Sequence, residues 1–262
     1  MNPLEAIILA IVQGITEWLP ISSSGHLVLV QQYLGIATTV FFDVILHIGT
    51  LLAVLVAFRK DILAILRAVF HSEFKTEQGK LALYIIVASI PTAIIGFLFQ
   101  ATFEAFFSNL LVVGFAFIIT GVLLYLSKLQ KNRNSELNYA KALLIGTVQG
   151  VALIPGISRS GSTISAGLLL KMKKEKAFQF SFLLFIPAVI GAALAEGVKE
   201  WSSLAANDVD LLTVFLGVLV TSLVSYLFLK LLFMVILKEK FHWFAYYCWA
   251  LGLLVIAEQL IL

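Results

Sequence analysis

The sequence predicts an all-α polytopic membrane protein, and three observations predict it. Of 262 residues, 61% are hydrophobic and only 13% charged, against about a quarter charged in soluble domains; the mean hydropathy is +1.02. Apolar runs close to the length a helix needs to cross a hydrocarbon core, about 20 residues, recur along the chain. Two further apolar regions, 4–36 and 139–171, are broken in the middle by polar strings, WLPISSSGH and IPGISRSGS.

Taken in order, region 4–36 reads as a re-entrant helical hairpin, because each half is too short to span a bilayer. Irregular backbone at membrane depth survives only where protein buries it or a wet cavity adjoins it. Spans follow at about 40–58, 82–103 and 108–127. A second hairpin covers 139–171, and spans at about 177–197, 212–236 and 244–262 complete the chain. The N-terminus MNPLEAI lacks the basic region of a cleavable signal, and Glu5 and the polar break at Gln13 interrupt the apolar run. The single cysteine, Cys248, predicts neither an intrachain disulfide nor a cysteine metal site.

The broken regions resemble one another. Ala6–His26 aligns without gaps on Ala142–Ser162, with eight of 21 positions identical, among them Gln13/Gln149, Gly14/Gly150, Ser22/Ser158, Ser24/Ser160 and Gly25/Gly161. The chain therefore reads as two repeats, 1–130 and 138–262. Each holds one hairpin and three spans. Three is odd, so the second repeat starts from the opposite face, which predicts an inverted-topology repeat with its site where the broken helices meet.

Basic residues fix the expected orientation. Fifteen of the 18 Lys and Arg fall in the connections on one side, at 59–80, 128–141, 171–176 and 238–240. By the positive-inside rule that side is cytoplasmic. Both termini and the first hairpin are then expected on the outer face of a plasma (inner) membrane. The net charge of +3 is spread over these short loops, which argues against a nucleic-acid partner.

Where the repeats differ, chemistry is concentrated. Glu17 aligns with Leu153, Ser23 with Arg159, and His26 with Ser162. One hairpin thus supplies a carboxylate and an imidazole, the other a guanidinium. Gln13 and Glu17 are four apart and share a helix face; two oxygen donors there suit a hard divalent cation, Mg2+ or Ca2+. Gly156, Ser158, Ser160 and Gly161 lead into a helix whose N-terminus suits a phosphate, and Arg159 could grip two phosphate oxygens. Ser23 or His26 is the candidate nucleophile, with the other assisting. Plainer readings compete: Glu17 and Arg159 as a structural ion pair, Ser22 and Ser24 as helix caps, and His26 as a hydrogen-bonded histidine without chemistry. Asp43 and His47 fit either the hairpin's mouth or a membrane boundary, and Gln149 either a relic of symmetry or a pocket donor. Glu104, Glu196, Lys230 and Glu258 read as interfacial or snorkelling residues.

With these residues in view, the chain resembles the undecaprenyl-diphosphatase family of the bacitracin-resistance type over essentially its whole length. The match rests on Gln13-Gly-Ile-Thr-Glu17, on Ser22-Ser23-Ser24-Gly25-His26, and on Pro155-Gly156-Ile157-Ser158-Arg159-Ser160-Gly161-Ser162-Thr163. The resemblance implies hydrolysis of a C55 polyprenyl diphosphate to the monophosphate, recycling the lipid carrier of cell-wall synthesis, with a divalent metal. It implies that Gln13 and Glu17 hold or orient the metal and that Arg159 stabilises the phosphoryl group. Ser23 and His26 would be nucleophile and base, and Ser158, Ser160 and Thr163 phosphate contacts. Position 13 is Gln where the family also uses Glu, which shifts the metal-holding role towards Glu17. Expected partners are the lipid substrate and the membrane, with a homodimer allowed. The main rival is a transporter, a flippase for polyprenyl phosphate, since inverted repeats with broken helices are also transporter architecture. A lipid phosphatase of the acid-phosphatase type fits poorly, because Ser165 stands where that pattern needs a histidine.

Overall fold

A computed structural model of the chain describes residues 2–36, 40–130, 134–199 and 210–261, which are helical with short connections. Helix α1, Pro3–Thr16, starts on a capping box between Asn2 and Glu5, with proline in its first turn. Helix α2, Ser23–Leu34, is capped by the Ser22 side chain and stops at Gly35, whose left-handed φ of 63° suits glycine. Then come α3, Val40–Ala57; α4, Arg59–Phe70; α5, Glu77–Leu98; α6, Gln100–Phe106; and α7, Leu110–Leu126. After them run α8, Tyr139–Val151; α9, Arg159–Leu169; α10, Lys174–Lys199; α11, Leu211–Leu237; and α12, Phe244–Ile261.

Five of these helices, α5, α7, α10, α11 and α12, are long and apolar enough to cross a membrane, the second and last counted with an adjoining 3-10 turn; a sixth is reached if α3 and α4 form one bent span. The protein is therefore a multi-pass α-helical membrane protein. Two sequence expectations shift. The span expected at 82–103 begins at Glu77, where Thr76 caps it, and ends at Leu98; a break at Phe99 starts the separate short helix α6. The connection 59–80, expected as loop, contains α4, set at 80° to α3. Its apolar residues interleave with Arg59, Lys60 and Arg67, the pattern of a helix with two unlike faces.

Beside a buried apolar core that includes Trp18, Phe178, Phe180 and Phe182, the helices make close contacts through small residues, as membrane helices do. Along α11, Thr213, Gly217, Thr221 and Ser225 are buried at every fourth position, facing α1 and α3. Thr221 donates to the Ala10 carbonyl (3.3 Å) and Ser222 to the Gly49 carbonyl (2.9 Å). Leu223 and Leu227, by contrast, are 61% and 66% exposed, which turns them to lipid. The contact between α8 and α5 follows the same rule: a Cβ on Gly146 would lie 2.0 Å from the Ala88 carbonyl oxygen. Thr92 ties the two helices by donating to the Gly146 carbonyl at 2.8 Å.

Two breaks position the site. Residues 17–22 separate α1 from α2, and 152–158 separate α8 from α9. Both members of the second pair start 136 residues after their counterparts in the first. The caps also correspond: Ser22 accepts from the Gly25 amide at 3.3 Å, and Ser158 from the Gly161 amide at 3.0 Å. The breaks touch, since the Gly156 amide donates to Ser22 Oγ at 3.1 Å. Thr120 of α7 clamps the second break, donating to the Gly156 carbonyl and accepting from the Ser158 amide, each at 3.0 Å. These bonds satisfy backbone groups that no helix covers, as membrane depth demands.

Candidate active site

Glu17 sits at the C-terminal end of α1, 6% exposed, and four side chains converge on it. Arg159, the first residue of α9, donates from Nη2 to Glu17 Oε1 at 2.6 Å. Ser23, the first residue of α2, donates to Oε2 at 2.5 Å, and Gln13 Nε2 to the same oxygen at 3.1 Å. His47 Nε2, from α3, is 3.5 Å from Oε2. A buried carboxylate needs such company. The His47 ring is oriented from behind, where its Nδ1 is 2.7 Å from the Asp43 carbonyl and so donates to it.

Arg159 is not spent on Glu17. Its guanidinium lies 4.1 Å over the Phe185 ring, and its Nη1 is buried without a partner. A planar fork with one arm engaged and one open is suited to an oxyanion. Ser23 and Ser24 open α2, and Arg159 and Ser160 open α9. N–H groups in those positions have no acceptor within their own helix, so two positive helix ends meet here. A cavity of about 230 Å³ adjoins the cluster, and Glu17, Ser23, Asp43, His47, Ser158 and Arg159 all line it.

The expected site residues are only partly brought together. Gln13, Glu17, Ser23 and Arg159 form one hydrogen-bonded group, and Ser158 lines the cavity. His26 does not join it. Its Nδ1 donates to the Ser22 carbonyl at 2.7 Å, its Nε2 is 2.7 Å from the Tyr247 hydroxyl, and its ring stacks on that tyrosine. It holds the first break to α12. Among the expected phosphate contacts, Thr163 turns to the Arg159 carbonyl and to Ser181 Oγ. Ser160 donates to the Glu17 carbonyl at 3.3 Å, while the amides of Gly156 and Gly161 are used on Ser22 and Ser158. These four, Gly156, Ser160, Gly161 and Thr163, build the break rather than face the cavity.

The sequence singled out Asp43 and His47 without being able to place them; both line the cavity. The usable signal is their four-residue spacing in an otherwise apolar run, which puts both on one face of α3. Gln149 also lines it, with its Nε2 directed at Thr92 Oγ1 at 3.4 Å. Glu104 and Glu196 both accept from Gln100, which ties α6 to α10, and Glu258 accepts from Tyr33.

The sequence matches the family described as Bacitracin resistance protein BacA over residues 6–254. The chain belongs to this family. Among the curated BacA-family relatives, the "Undecaprenyl-diphosphatase" of Halothermothrix orenii is 44% identical over 260 residues, covering 98% of both chains. That of Carboxydothermus hydrogenoformans is 41% identical over 265 residues, covering 99% of this chain and 98% of its own. The Desulfosudis oleivorans protein of the same description is 45% identical over 268 residues, with 96% and 97% covered. The BacA match begins at Ala6 and takes in both breaks, so every residue around Glu17 falls inside the matched region.

Proposed function

We propose that the chain is a membrane phosphatase that hydrolyses undecaprenyl diphosphate to undecaprenyl phosphate and phosphate. The carrying observation is the pair of short contacts on one carboxylate: Ser23 Oγ at 2.5 Å from one oxygen and Arg159 Nη2 at 2.6 Å from the other. Ser23 is then the nucleophile and Glu17 its general base, since nucleophile and base must lie within hydrogen-bond reach. Oγ attacks the terminal phosphorus, its proton passes to Glu17 Oε2, and the bridging P–O bond breaks to release the prenyl monophosphate. Once Glu17 has passed that proton to the departing monophosphate, water cleaves the phosphoserine, with Glu17 taking the water's proton and handing it to Ser23 Oγ as the P–Oγ bond breaks. Charge on the transferring phosphoryl oxygens is met by the open Nη1 of Arg159 and by the N-termini of α2 and α9, the positioning and neutralisation on which phosphoryl transfer depends. His26 is left with a structural role in this scheme.

A divalent cation, Mg2+ or Ca2+, fits the donor set as a companion of the substrate. Gln13 Oε1 is buried without a partner beside the Glu17 carboxylate, and Mg2+ is commonly held by one or two protein oxygens together with substrate phosphates. Glu17 and Gln13 would hold it, and it would neutralise diphosphate charge. Two repeats, 1–130 and 138–262, set inverted in a plasma membrane with the first hairpin outermost, account for two matched breaks that offer unlike residues to one cavity. The equal spacing of the paired helices supports that reading.

The test is phosphate release from undecaprenyl diphosphate by purified protein. Ser23→Ala and Glu17→Gln are each expected to lower kcat by at least ~10³-fold, the scale of losing a catalytic group. Release at the parent rate by both variants would sink the assignment and return the transporter reading to first place.

A further inference from the structure

The cavity beside Glu17 has a second, unlike wall. Phe107 in the turn between α6 and α7, Leu153 in the second break, and Ala188, Val189 and Ala192 on α10 all face it. Nothing in the phosphoryl chemistry calls for these residues. Ala188 and Ala192 are four apart and so lie on one face of α10. Ala188 is half-buried and Ala192 exposed, so this wall runs from the interior out to the helix surface. Its surroundings are open: a Cβ placed on Gly191 would meet no described atom within 4 Å. Farther along the helix, Ile190 and Leu194 are 45% and 66% exposed, a lipid-facing surface in a membrane protein. Gln149 also lines the cavity, is 1% exposed, and has a side-chain amide oxygen without a partner.

We infer that this apolar wall is the track for the substrate's isoprenoid tail, which leaves sideways into lipid past Ala188 and Ala192. The inference rests on the diphosphatase reading. A diphosphate seated between Ser23 and Arg159 carries its tail on the far phosphate, and only a small-residue, apolar exit lets the tail stay out of water while the head group stays in the polar end. The two alanines then set the width of that exit and make the site favour long isoprenoids over short ones.

The experiment compares kcat/KM for undecaprenyl diphosphate with that for isopentenyl diphosphate, in detergent micelles. Ala192→Trp is expected to lower the ratio at least tenfold, and Ala192→Gly to keep it within twofold of the parent. A ratio unchanged by the tryptophan overturns the track. Should that variant turn over neither substrate, a photoreactive isoprenoid diphosphate on the parent protein decides. Label on the peptide containing 186–196 supports the track, and label confined to other helices overturns it. Parent protein that releases phosphate from neither substrate refutes the diphosphatase reading instead, a result distinct from failure of the track.

Discussion

Gly25 is the position where one methyl group should uncouple the two breaks. A Cβ there would sit 2.9 Å from Gly156 Cα, 3.1 Å from Gly156 N and 2.7 Å from Phe117 Cζ. Ordinary contacts start near 3.4 Å, so the Gly25→Ala variant must open the α2-to-second-break contact by roughly half an ångström, a strain of the kind that costs about 1–3 kcal/mol when a packed site is overfilled. The ring of Phe117 can tilt aside, but the backbone of Gly156 cannot, because Thr120 holds it from the other side. The displacement therefore falls on the contacts that join the two breaks, the Ser22–Gly156 bond and the Glu17–Arg159 pair. Misplacing reacting groups by about 1 Å costs on the order of 10²-fold in rate, so half that displacement should lower kcat by about tenfold. Phosphate release and thermal unfolding of the purified variant measure the two effects together. Phe117→Leu added to Gly25→Ala should not restore the rate, since it relieves only the ring. A Gly25→Ala protein with the parent's turnover, or full rescue by Phe117→Leu, would refute the claim that backbone contact between the breaks sets the site.

Other expectations follow from the same geometry. His26→Gln should lower phosphate release far less than Ser23→Ala, because His26 binds Ser22 and Tyr247 and does not line the cavity; equal losses would restore His26 as a reacting group. Gly146→Ala should destabilise the protein by about 1–3 kcal/mol, read as a lowered Tm, because its methyl would press on the Ala88 backbone and no side chain can yield. Stripping divalent cations with a chelator should suppress phosphate release and added Mg2+ should restore it, while binding of Mg2+ by the protein without diphosphate should be weak, since the described residues offer no group of three acidic, histidine or cysteine ligands.

Much of this architecture was legible because membrane residence imposes strong rules. A polar string inside an apolar run has few explanations, so both breaks and their helices fall close to where the hydrophobic pattern puts them. Glu17, Ser23 and Arg159 stand out in the sequence because each departs from the residue aligned with it in the other broken region. The misses have physical reasons too. Thr163 and Ser160 carry the right hydroxyls for phosphate, but a helix distributes side chains around its axis, and theirs point to Ser181 and to the Glu17 carbonyl. The motif around His26 states a residue type, not the direction of its ring, which Tyr247 captures from 221 positions away. The role of His47 depends on how α3 docks against the first break, and no local pattern contains that. Helix α4 was hidden because a two-faced helix rich in basic residues reads like a charged loop when only hydropathy is followed.

The bond from the Gly156 amide to Ser22 Oγ joins residues 134 positions apart, and this bears on how the protein is made. The chain emerges N-terminus first, so when Ser22, Ser23 and Glu17 have been synthesised, the arginine and amide that complete them do not yet exist. Until the second break arrives, Glu17 has Ser23 and Gln13 for company but lacks its arginine, and Ser22 lacks the Gly156 amide. A truncated first half should therefore be a substrate for quality-control proteolysis rather than a folded domain.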